Sequence, residues 1–171
     1  YRKLLALMPA AARSLDLRHA ELIISSHHAV AKGVRVRPGQ FHLCYCHTPA
    51  RYLWDRRDEY LRDHALSGAK GMLARGVLER VRRWDRRTAD SVDHFVVNSA
   101  FVRERVQRQY QRDAVVIHPP VDVEFFTPDG PREAGLYVTA SRQVPYKRID
   151  RIVEAFRDTP ARRLVVLGGG P

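Results

Sequence analysis

The chain has 171 residues, of which 44% are hydrophobic, and a formal net charge of +11. This length gives room for one ordinary domain or for parts of two, and the hydrophobic fraction excludes an intrinsically disordered chain. The positive charge raises nucleic acid, anionic membranes and phosphorylated ligands as partners. However, 26 of the 30 basic residues are arginine. Genomic base composition alone can produce such a bias, so the charge does not by itself indicate nucleic-acid binding.

Two cysteines, Cys44 and Cys46, are too few for a disulfide scaffold. They lie two positions apart on a predicted strand and therefore point the same way, and reduced thiols in a cytoplasmic protein fit this pattern. No apolar run has the length that crosses a bilayer. The opening residues lead into an amphipathic pattern rather than a signal peptide. Because the chain starts without Met and stops in a glycine turn, we expect an internal fragment of a longer cytoplasmic protein.

The first part of the chain is predicted to form a helix and then a strand. Apolar residues recur at helical spacing over residues 1–17, and Leu22 to Ile24 form a short buried strand within residues 20–26. The pair His27-His28 follows this strand. Neighbouring strand residues point to opposite faces and no third ligand lies nearby. A polar strand end is therefore favoured over a metal site.

A second buried strand is predicted from Phe41 to Cys46, with His47 at its carboxyl end. Open α/β sheets bind ligands at this edge. Two interpretations of His47 stay open. Its ring could bond to a backbone carbonyl, or it could contact a ligand, because a neutral imidazole both donates and accepts. A zinc site built from His42, Cys44, Cys46 and His47 fails on geometry, since alternate strand residues cannot all converge on one tetrahedral ion.

After a charged aromatic stretch over residues 51–65, a long amphipathic helix is predicted beyond Gly68 and Gly71. Its apolar face comprises Leu73, Val77, Val81, Trp84 and Thr88, and its other face carries Arg75, Arg80, Arg82, Arg83, Arg86 and Arg87. A basic amphipathic segment can lie on an anionic membrane surface. The alternative is a solvated face of a helix packed on its own sheet. No aromatic residues interleave the basic run in the way that single-strand nucleic-acid binders need.

Two further strands are predicted at His94 to Val97 and Ala114 to Ile117. Between them Asn98-Ser99 supplies an N-cap for a helix over residues 100–111. Its apolar face comprises Phe101, Val102, Val106 and Tyr110. Val121 to Phe126 is predicted to be extended, and the proline and glycine residues at 128–133 indicate a linker. We therefore assign residues 1–127 to one domain and residues 134–171 to the start of a second.

Residues 141–150 carry the clearest candidate site. They join a predicted strand, Leu136 to Ala140, to a predicted helix that starts near Ile149, and they place Arg142 and Lys147 on the connecting loop. A strand end that opens into a helix is a common position for an anionic ligand. Two cations there could hold a diphosphate and stabilise the charge that develops as it leaves. The alternative is that both are surface cations, which usually just face solvent.

A glycine turn, Gly168 to Gly170, follows the next predicted strand, Leu164 to Leu167. Glycines at this position let a backbone approach a phosphate closely. Glycine turns end many strands, so the turn gains weight mainly from its place one βα unit after Arg142 and Lys147.

Four stretches of the chain form a familiar series. They run from Cys46 to Asp55, from Val97 to Val102, from Val116 to Asp122, and from Ser141 to Asp150, closing with Gly168 to Pro171. In this order they resemble the retaining glycosyltransferases of family 4, which have the GT-B fold of two facing Rossmann-like domains. The first stretch looks like the mannosyltransferase branch of O-antigen and exopolysaccharide synthesis.

The resemblance implies an α/β fold of GT-B type with parallel sheets. Residues 1–127 would be the latter part of the acceptor-binding domain, and residues 134–171 the start of the nucleotide-sugar-binding domain. Arg142 and Lys147 match the pair that binds the donor diphosphate, Gly168, Gly169 and Gly170 match the glycine turn near the donor, and His47 matches the histidine that faces the donor sugar. The family needs no metal cofactor.

By this resemblance the donor is a nucleotide sugar, GDP-mannose, and the acceptor is a saccharide or a lipid-linked saccharide, with peripheral membrane contact and no nucleic acid. The family's first glycine-rich loop would precede this chain and its pair of acidic residues would follow it, so we expect the fragment alone to be inactive. A UDP-sugar donor stays open as an alternative. So does a basic module without chemistry that binds nucleic acid or an anionic glycan, although the ordered match argues against it.

Overall fold

The computed structural model describes residues 7–27, 29–63, 66–128, 130 and 132–170. The chain separates into two compact units, with the division between Pro120 and Val121. Several predictions fall partly outside the described residues. These are the start of the helix predicted over 1–17, His28 of the histidine pair, residues 64 and 65, Asp129 and Pro131 of the linker, and Pro171.

The first unit contains a parallel four-stranded sheet in the order β1-β2-β3-β4. Its strands are β1 (Leu22–His27), β2 (Phe41–Cys46), β3 (His94–Val97) and β4 (Ala114–Val116). All four strand predictions are confirmed to within a few residues. Sequential parallel strands need crossover connections, which helices normally supply. The unit is therefore the expected α/β arrangement of Rossmann-like type.

In the part of the first unit that the structure describes, four α-helices accompany this sheet: α1 (Met8–Arg13), α2 (Arg57–Asp63), α3 (Gly68–Thr88) and α4 (Ala100–Tyr110). Short 3₁₀ helices lie at Ala31–Gly33 and Ala89–Ser91. The predicted N-cap of α4 is confirmed, because the Ser99 hydroxyl accepts a hydrogen bond from the Val102 amide at 3.3 Å. The helix ends at Tyr110, and the next residue, Gln111, has a left-handed φ of 56° that turns the chain away from the helical path.

The predicted strands are less buried than their apolar sequences suggest. In β1 the side chains alternate, with Ile23 and Ser25 buried but Leu22 and Ile24 exposed. The buried face of the sheet packs on α4, and its core consists of Cys44, Cys46, Phe95 and Val97 from the strands with Val102, Val106 and Tyr110 from the helix. The buried strand predicted at Leu22 to Ile24 is therefore present, but it is buried on one face only.

The apolar face of α3 also differs from its prediction at one end. Val81 is buried and Leu78 takes a core position, but Leu73 is 73% exposed and does not belong to that face. The first turn of α3 approaches the protein through Gly71 instead, where an added Cβ would lie 2.7 Å from the Leu66 carbonyl oxygen. The buried residues of α3 are Gly71, Leu78, Val81 and Asp85, and Leu73 lies outside the face that they form.

Cys44 and Cys46 are both free and buried, on the same face of β2 as predicted. The hydrogen bond between the two thiols, together with burial, raises the pKa of Cys46. A buried thiol that keeps its proton is chemically inert. Cys46 therefore acts as a core residue. Cys44 is equally buried, although the hydrogen bond with Cys46 lowers the pKa of Cys44.

A buried polar network lies within the first unit. The Asp85 carboxylate pairs with the Lys32 ammonium, and these two side chains are 0% and 3% exposed. Asp85 also accepts hydrogen bonds from the Trp54 indole at 2.8 Å and from the Tyr110 hydroxyl at 2.9 Å. Burial raises the pKa of Tyr110 well above its ordinary value, and the nearby Asp85 carboxylate adds to the effect. Tyr110 therefore remains a neutral donor to Asp85.

The second unit contains a two-stranded parallel sheet, β5 (Leu136–Ala140) and β6 (Arg163–Leu167), with helix α5 (Ile149–Ala155) in the connection. These elements confirm the predicted strand–loop–helix–strand order. The extended stretch predicted from Val121 to Phe126 is wrong. The Phe126 amide bonds to the Asp122 carbonyl at 3.0 Å and the Phe125 amide to the Asp122 carboxylate at 2.9 Å, so this segment is a turn.

His42 gives the first unit a predicted pH dependence. Its fully buried ring donates through Nδ1 to the Ser91 carbonyl at 3.2 Å, and the Ser25 hydroxyl lies 2.9 Å from Nε2. Burial lowers the pKa of His42. Unfolded histidine, with a pKa of about 6.5, therefore binds a proton before the folded protein does, and the free energy of unfolding should fall as pH drops below about 6.5.

Urea unfolding at pH 7.5 and pH 5.5 would test this expectation. His42→Gln should lose stability at both values, but the difference between them should shrink. Some dependence should remain, because burial also lowers the pKa of His27. An undiminished difference in the variant would contradict the assignment.

Candidate functional site

Polar residues gather at the carboxyl edge of the four-stranded sheet. The strand register aligns His27 with Cys46, Cys46 with Val97, and Val97 with Val116. The residues that follow these positions on β2 and β3 are His47 and Asn98, and His118 comes two residues after β4. The carboxyl edge is where open α/β sheets bind ligands. The structure therefore brings residues from all four strand ends to one candidate ligand edge.

Hydrogen bonds link these strand ends in series across the sheet. His118 Nδ1 donates to the Asn98 backbone carbonyl at 3.0 Å, and the Asn98 side-chain amide donates to the His47 backbone carbonyl at 3.3 Å. Nε2 of the His47 ring lies at a hydrogen-bonding distance of 3.1 Å from the Ser26 hydroxyl. His47 itself is exposed. Its ring is therefore tethered to a side chain of β1, not to a backbone carbonyl, while its surface stays open to a ligand.

His27 lies at the end of β1 with a different set of contacts. Its Nδ1 accepts a hydrogen bond from the Ala29 amide at 2.9 Å. Burial lowers the pKa of His27, and the charges of His47 and Lys32 lower it further. It therefore acts as a neutral polar residue at a strand end, as the sequence favoured. Within the described residues, no group of three or more His, Cys, Asp or Glu side chains has the arrangement of a metal site.

Arg105 is a functional candidate that the sequence did not reveal. It lies on α4 and is only 4% exposed, while Phe101, predicted for the apolar face, is 67% exposed. Its guanidinium donates to the Thr48 hydroxyl at 2.9 Å and to the Pro49 carbonyl at 3.1 Å, and it pairs with Asp55. The sequence signal that could have predicted the burial of Arg105 is helical spacing, because position 105 lies three residues after the buried Val102.

The second unit places Arg142 beside the glycine turn. The amide of Ser141 donates to the Leu167 carbonyl at 3.0 Å, and the amide of Gln143 donates to the Gly169 carbonyl at 2.9 Å. Gly168 has a φ of +122°, and a Cβ there would lie 2.1 Å from the Ser141 carbonyl oxygen. Only glycine fits this approach. The residues on both sides of Arg142 are thus fixed to the turn that the sequence associated with it.

Lys147 ends a short 3₁₀ helix, Pro145–Lys147, that precedes α5. Its ammonium lies 5.7 Å from the centroid of the Tyr146 ring. Lys147 and Arg142 are both exposed, which is usual for cations on a loop. Arg148, with a left-handed φ of 52°, turns the chain into α5 and pairs with Asp150 at 2.9 Å. Exposure fits both a diphosphate site and ordinary surface charge, so their role stays a prediction.

A parallel α/β sheet with helical crossovers defines the first unit as a Rossmann-like domain, with its polar carboxyl edge as the candidate site. The family model described as Glycosyltransferase Family 4 matches residues 1–125. The chain therefore belongs to glycosyltransferase family 4, and its general activity is glycosyl transfer from a sugar donor to an acceptor. His47 lies within the matched range, whereas Arg142, Lys147 and the glycine turn lie beyond it.

No curated protein and no solved structure matches this chain. Among the helices of residues 7–27, 29–63, 66–128, 130 and 132–170, none combines the length and the hydropathy needed to cross a bilayer.

Proposed function

We propose that the protein transfers a hexose, mannose from GDP-mannose, with retention of anomeric configuration. The acceptor is a saccharide or lipid-linked saccharide in cell-surface polysaccharide synthesis. The observation that carries this proposal is the exposed, tethered His47 at the carboxyl edge of a sheet that matches glycosyltransferase family 4. The choice of mannose is supported by the resemblance of Cys46 to Asp55 to mannosyltransferases.

Each candidate residue has a chemical role in this reaction. Breaking the bond between sugar and diphosphate leaves negative charge on the leaving group, and Arg142 and Lys147 would neutralise it as it develops. These two cations would supply the charge that a divalent ion supplies in other transferases, so the proposed chemistry is independent of metal. The backbone at Gly168 to Gly170 would approach the donor, and His47 would hydrogen-bond the donor sugar.

We further place the enzyme at the cytoplasmic face of a membrane, where a lipid-linked acceptor is available. The exposed face of α3 supports this location. Met72 and Leu73 are 75% and 73% exposed near its start, and Arg80, Arg83 and Arg87 are exposed further along. Apolar residues beside arginines suit the boundary between acyl chains and anionic headgroups.

Calorimetric titration of the full-length protein with GDP-mannose, GDP and UDP-glucose, without added metal, tests the proposal. Binding that requires guanine is the expected result. Binding of UDP-glucose alone would retain glycosyl transfer but replace the mannose donor. Absence of binding to any of the three, together with steeply salt-dependent nucleic-acid binding, would overturn the proposed donors in favour of a basic binding module.

A further inference from the structure

The guanidinium of Arg105 contacts several residues outside its own helix. All three of its guanidinium nitrogens are engaged: Nε with Thr48 Oγ1 at 2.9 Å, Nη2 with the Pro49 carbonyl at 3.1 Å, and Nη1 with Asp55. The guanidinium carbon lies 6.0 Å from the centroid of the Phe101 ring. Its partner Asp55 is fixed in turn by the Gln109 amide at 3.1 Å. Arg105 therefore joins α4 to the loop after β2.

Stability alone does not account well for this arrangement. Burying an ion pair removes both charges from water, and apolar residues of similar volume often stabilise a protein as much or more. What a planar guanidinium offers instead is direction, because its donors are fixed in one plane. The geometric consequence of the contacts is that Thr48 and Pro49 have a defined position relative to α4.

His47 immediately precedes these two residues. Its own backbone is held by Asn98, which donates to the His47 carbonyl just before α4 begins. Arg105, on the second turn of the same helix, holds the next two residues. Asn98, just before α4, and Arg105, on α4, thus fix the chain at His47 and directly beyond it, and the Ser26 hydroxyl lies 3.1 Å from Nε2 of the His47 ring.

We propose that Arg105, with Asp55, is a positioning residue that sets the orientation of the His47 imidazole for glycosyl transfer. This inference rests on the proposed role of His47 and concerns the first unit alone. Arg105 does not touch the substrate. It acts by holding Thr48 and Pro49, so that the His47 ring meets the donor sugar in one orientation.

The chain offers a closely matched control. Arg112 follows α4 and donates to the Ala89 carbonyl at 2.7 Å and the Val92 carbonyl at 2.6 Å, and it lies 5.6 Å from the centroid of the Phe95 ring. Arg112 also donates to the Asp93 carbonyl at 3.2 Å, so that its guanidinium, like that of Arg105, joins separate segments of the chain, although its described hydrogen bonds go to backbone carbonyls and not to a carboxylate. These carbonyls precede β3, however, at the amino edge of the sheet and away from His47.

The kinetic test compares Arg105→Lys and Arg112→Lys in the full-length enzyme. Lysine keeps the charge, but its donors lie on one nitrogen and cannot reproduce the planar fork of the guanidinium, which reaches three separate partners. Arg105→Lys should lower kcat by about tenfold to a hundredfold, the loss expected from a small misplacement, with donor KM little changed. Arg112→Lys should keep the kcat of the wild type. The double variant Arg105→Lys/His47→Ala should be no slower than His47→Ala alone.

A second measurement does not depend on turnover. NMR signals of the His47 imidazole should shift in Arg105→Lys and in Thr48→Val, which removes one acceptor of Arg105, and should stay in place in Arg112→Lys. Unmoved His47 signals, or equal effects of the Arg105 and Arg112 variants, would overturn the proposal, as would additive losses in the double variant. If the wild type transferred no sugar, the proposed function would fail, and the NMR comparison alone would decide the role of Arg105.

Discussion

The double variant Arg142→Ala/Lys147→Ala is expected to lose both sugar-nucleotide binding and turnover. Both cations lie on the loop that follows β5, and both are exposed. Removing them takes two positive charges from the place where the diphosphate is expected. The charge on that diphosphate increases as the glycosidic bond breaks, so the loss should be larger for the transition state than for the bound donor.

The single variants should separate these two effects. Removing one preorganised donor from a site of developing charge typically lowers kcat by about a hundredfold to a thousandfold. We expect Arg142→Ala to fall in this range, with a smaller loss of donor affinity. Arg142→Lys should recover part of kcat, because lysine restores the charge but not the bidentate geometry that suits phosphate oxygens.

Arg151→Ala provides the control for a general loss of positive charge. Arg151 is an exposed arginine on α5 of the same unit. The Arg151→Ala variant should bind the donor like the wild type in calorimetric titration, and it should transfer the sugar at the wild-type rate in steady-state assays. If the Arg142→Ala/Lys147→Ala variant turned over like the wild type, neither residue would belong to the donor site. If Arg151→Ala lost as much turnover, the effect of Arg142 and Lys147 would come from net charge alone.

The strands and their order were predictable because local signals agreed with the fold. Phe41 to Cys46 is an apolar run ended by a polar residue and a proline, and the structure gives β2 these bounds. Asn98-Ser99 has the chemistry of a helix start and caps α4 through Ser99. His47 could be placed at a carboxyl edge for the same reason, since a strand end fixes which edge its next residue occupies.

The long-range partners could not be predicted from the sequence. Lys32 and Asp85 are 53 positions apart, and Arg105 is 57 positions from Thr48. Charged residues are usually exposed, so composition places Arg105 and Lys32 at the surface and Phe101 in the core. The structure reverses this for Arg105 and Phe101. A buried charge becomes favourable only through partners that tertiary folding supplies, and no local pattern records them.

Local geometry accounts for the remaining errors. Val121 to Phe126 has the apolar composition of an extended segment, but the Asp122 side chain bonds to the amide of Phe125 and stabilises a turn. Leu73 fits a helical apolar face by spacing alone. The face of α3 that the structure buries comprises Gly71, Leu78, Val81 and Asp85, and Leu73 lies outside it. In the first case one polar contact outweighs the apolar pattern, and in the second the tertiary packing selects one of the faces that the spacing allows.

Asp85→Ala is expected to destabilise the first unit by about 3–5 kcal/mol, the range for removing one partner of a buried ion pair. The substitution would leave the Lys32 ammonium buried without its counter-charge. It would also remove the acceptor of the Trp54 indole and the Tyr110 hydroxyl. Unpaired buried donors each cost further free energy, so Asp85→Asn, which also lacks the charge, should recover only part of the loss.

Urea unfolding of matched variants would measure this network. Asp58→Ala is the surface control, because its ion pair with Arg75 joins side chains that are 60% and 55% exposed. Such a pair contributes about 0–1 kcal/mol, so this variant should unfold like the wild type. Lys32→Met/Asp85→Ala should lose less than the sum of its single variants, since neither charge is then left buried alone. If Asp85→Ala cost no more than Asp58→Ala, the buried pair would not stabilise the fold, and its strict burial would need another cause.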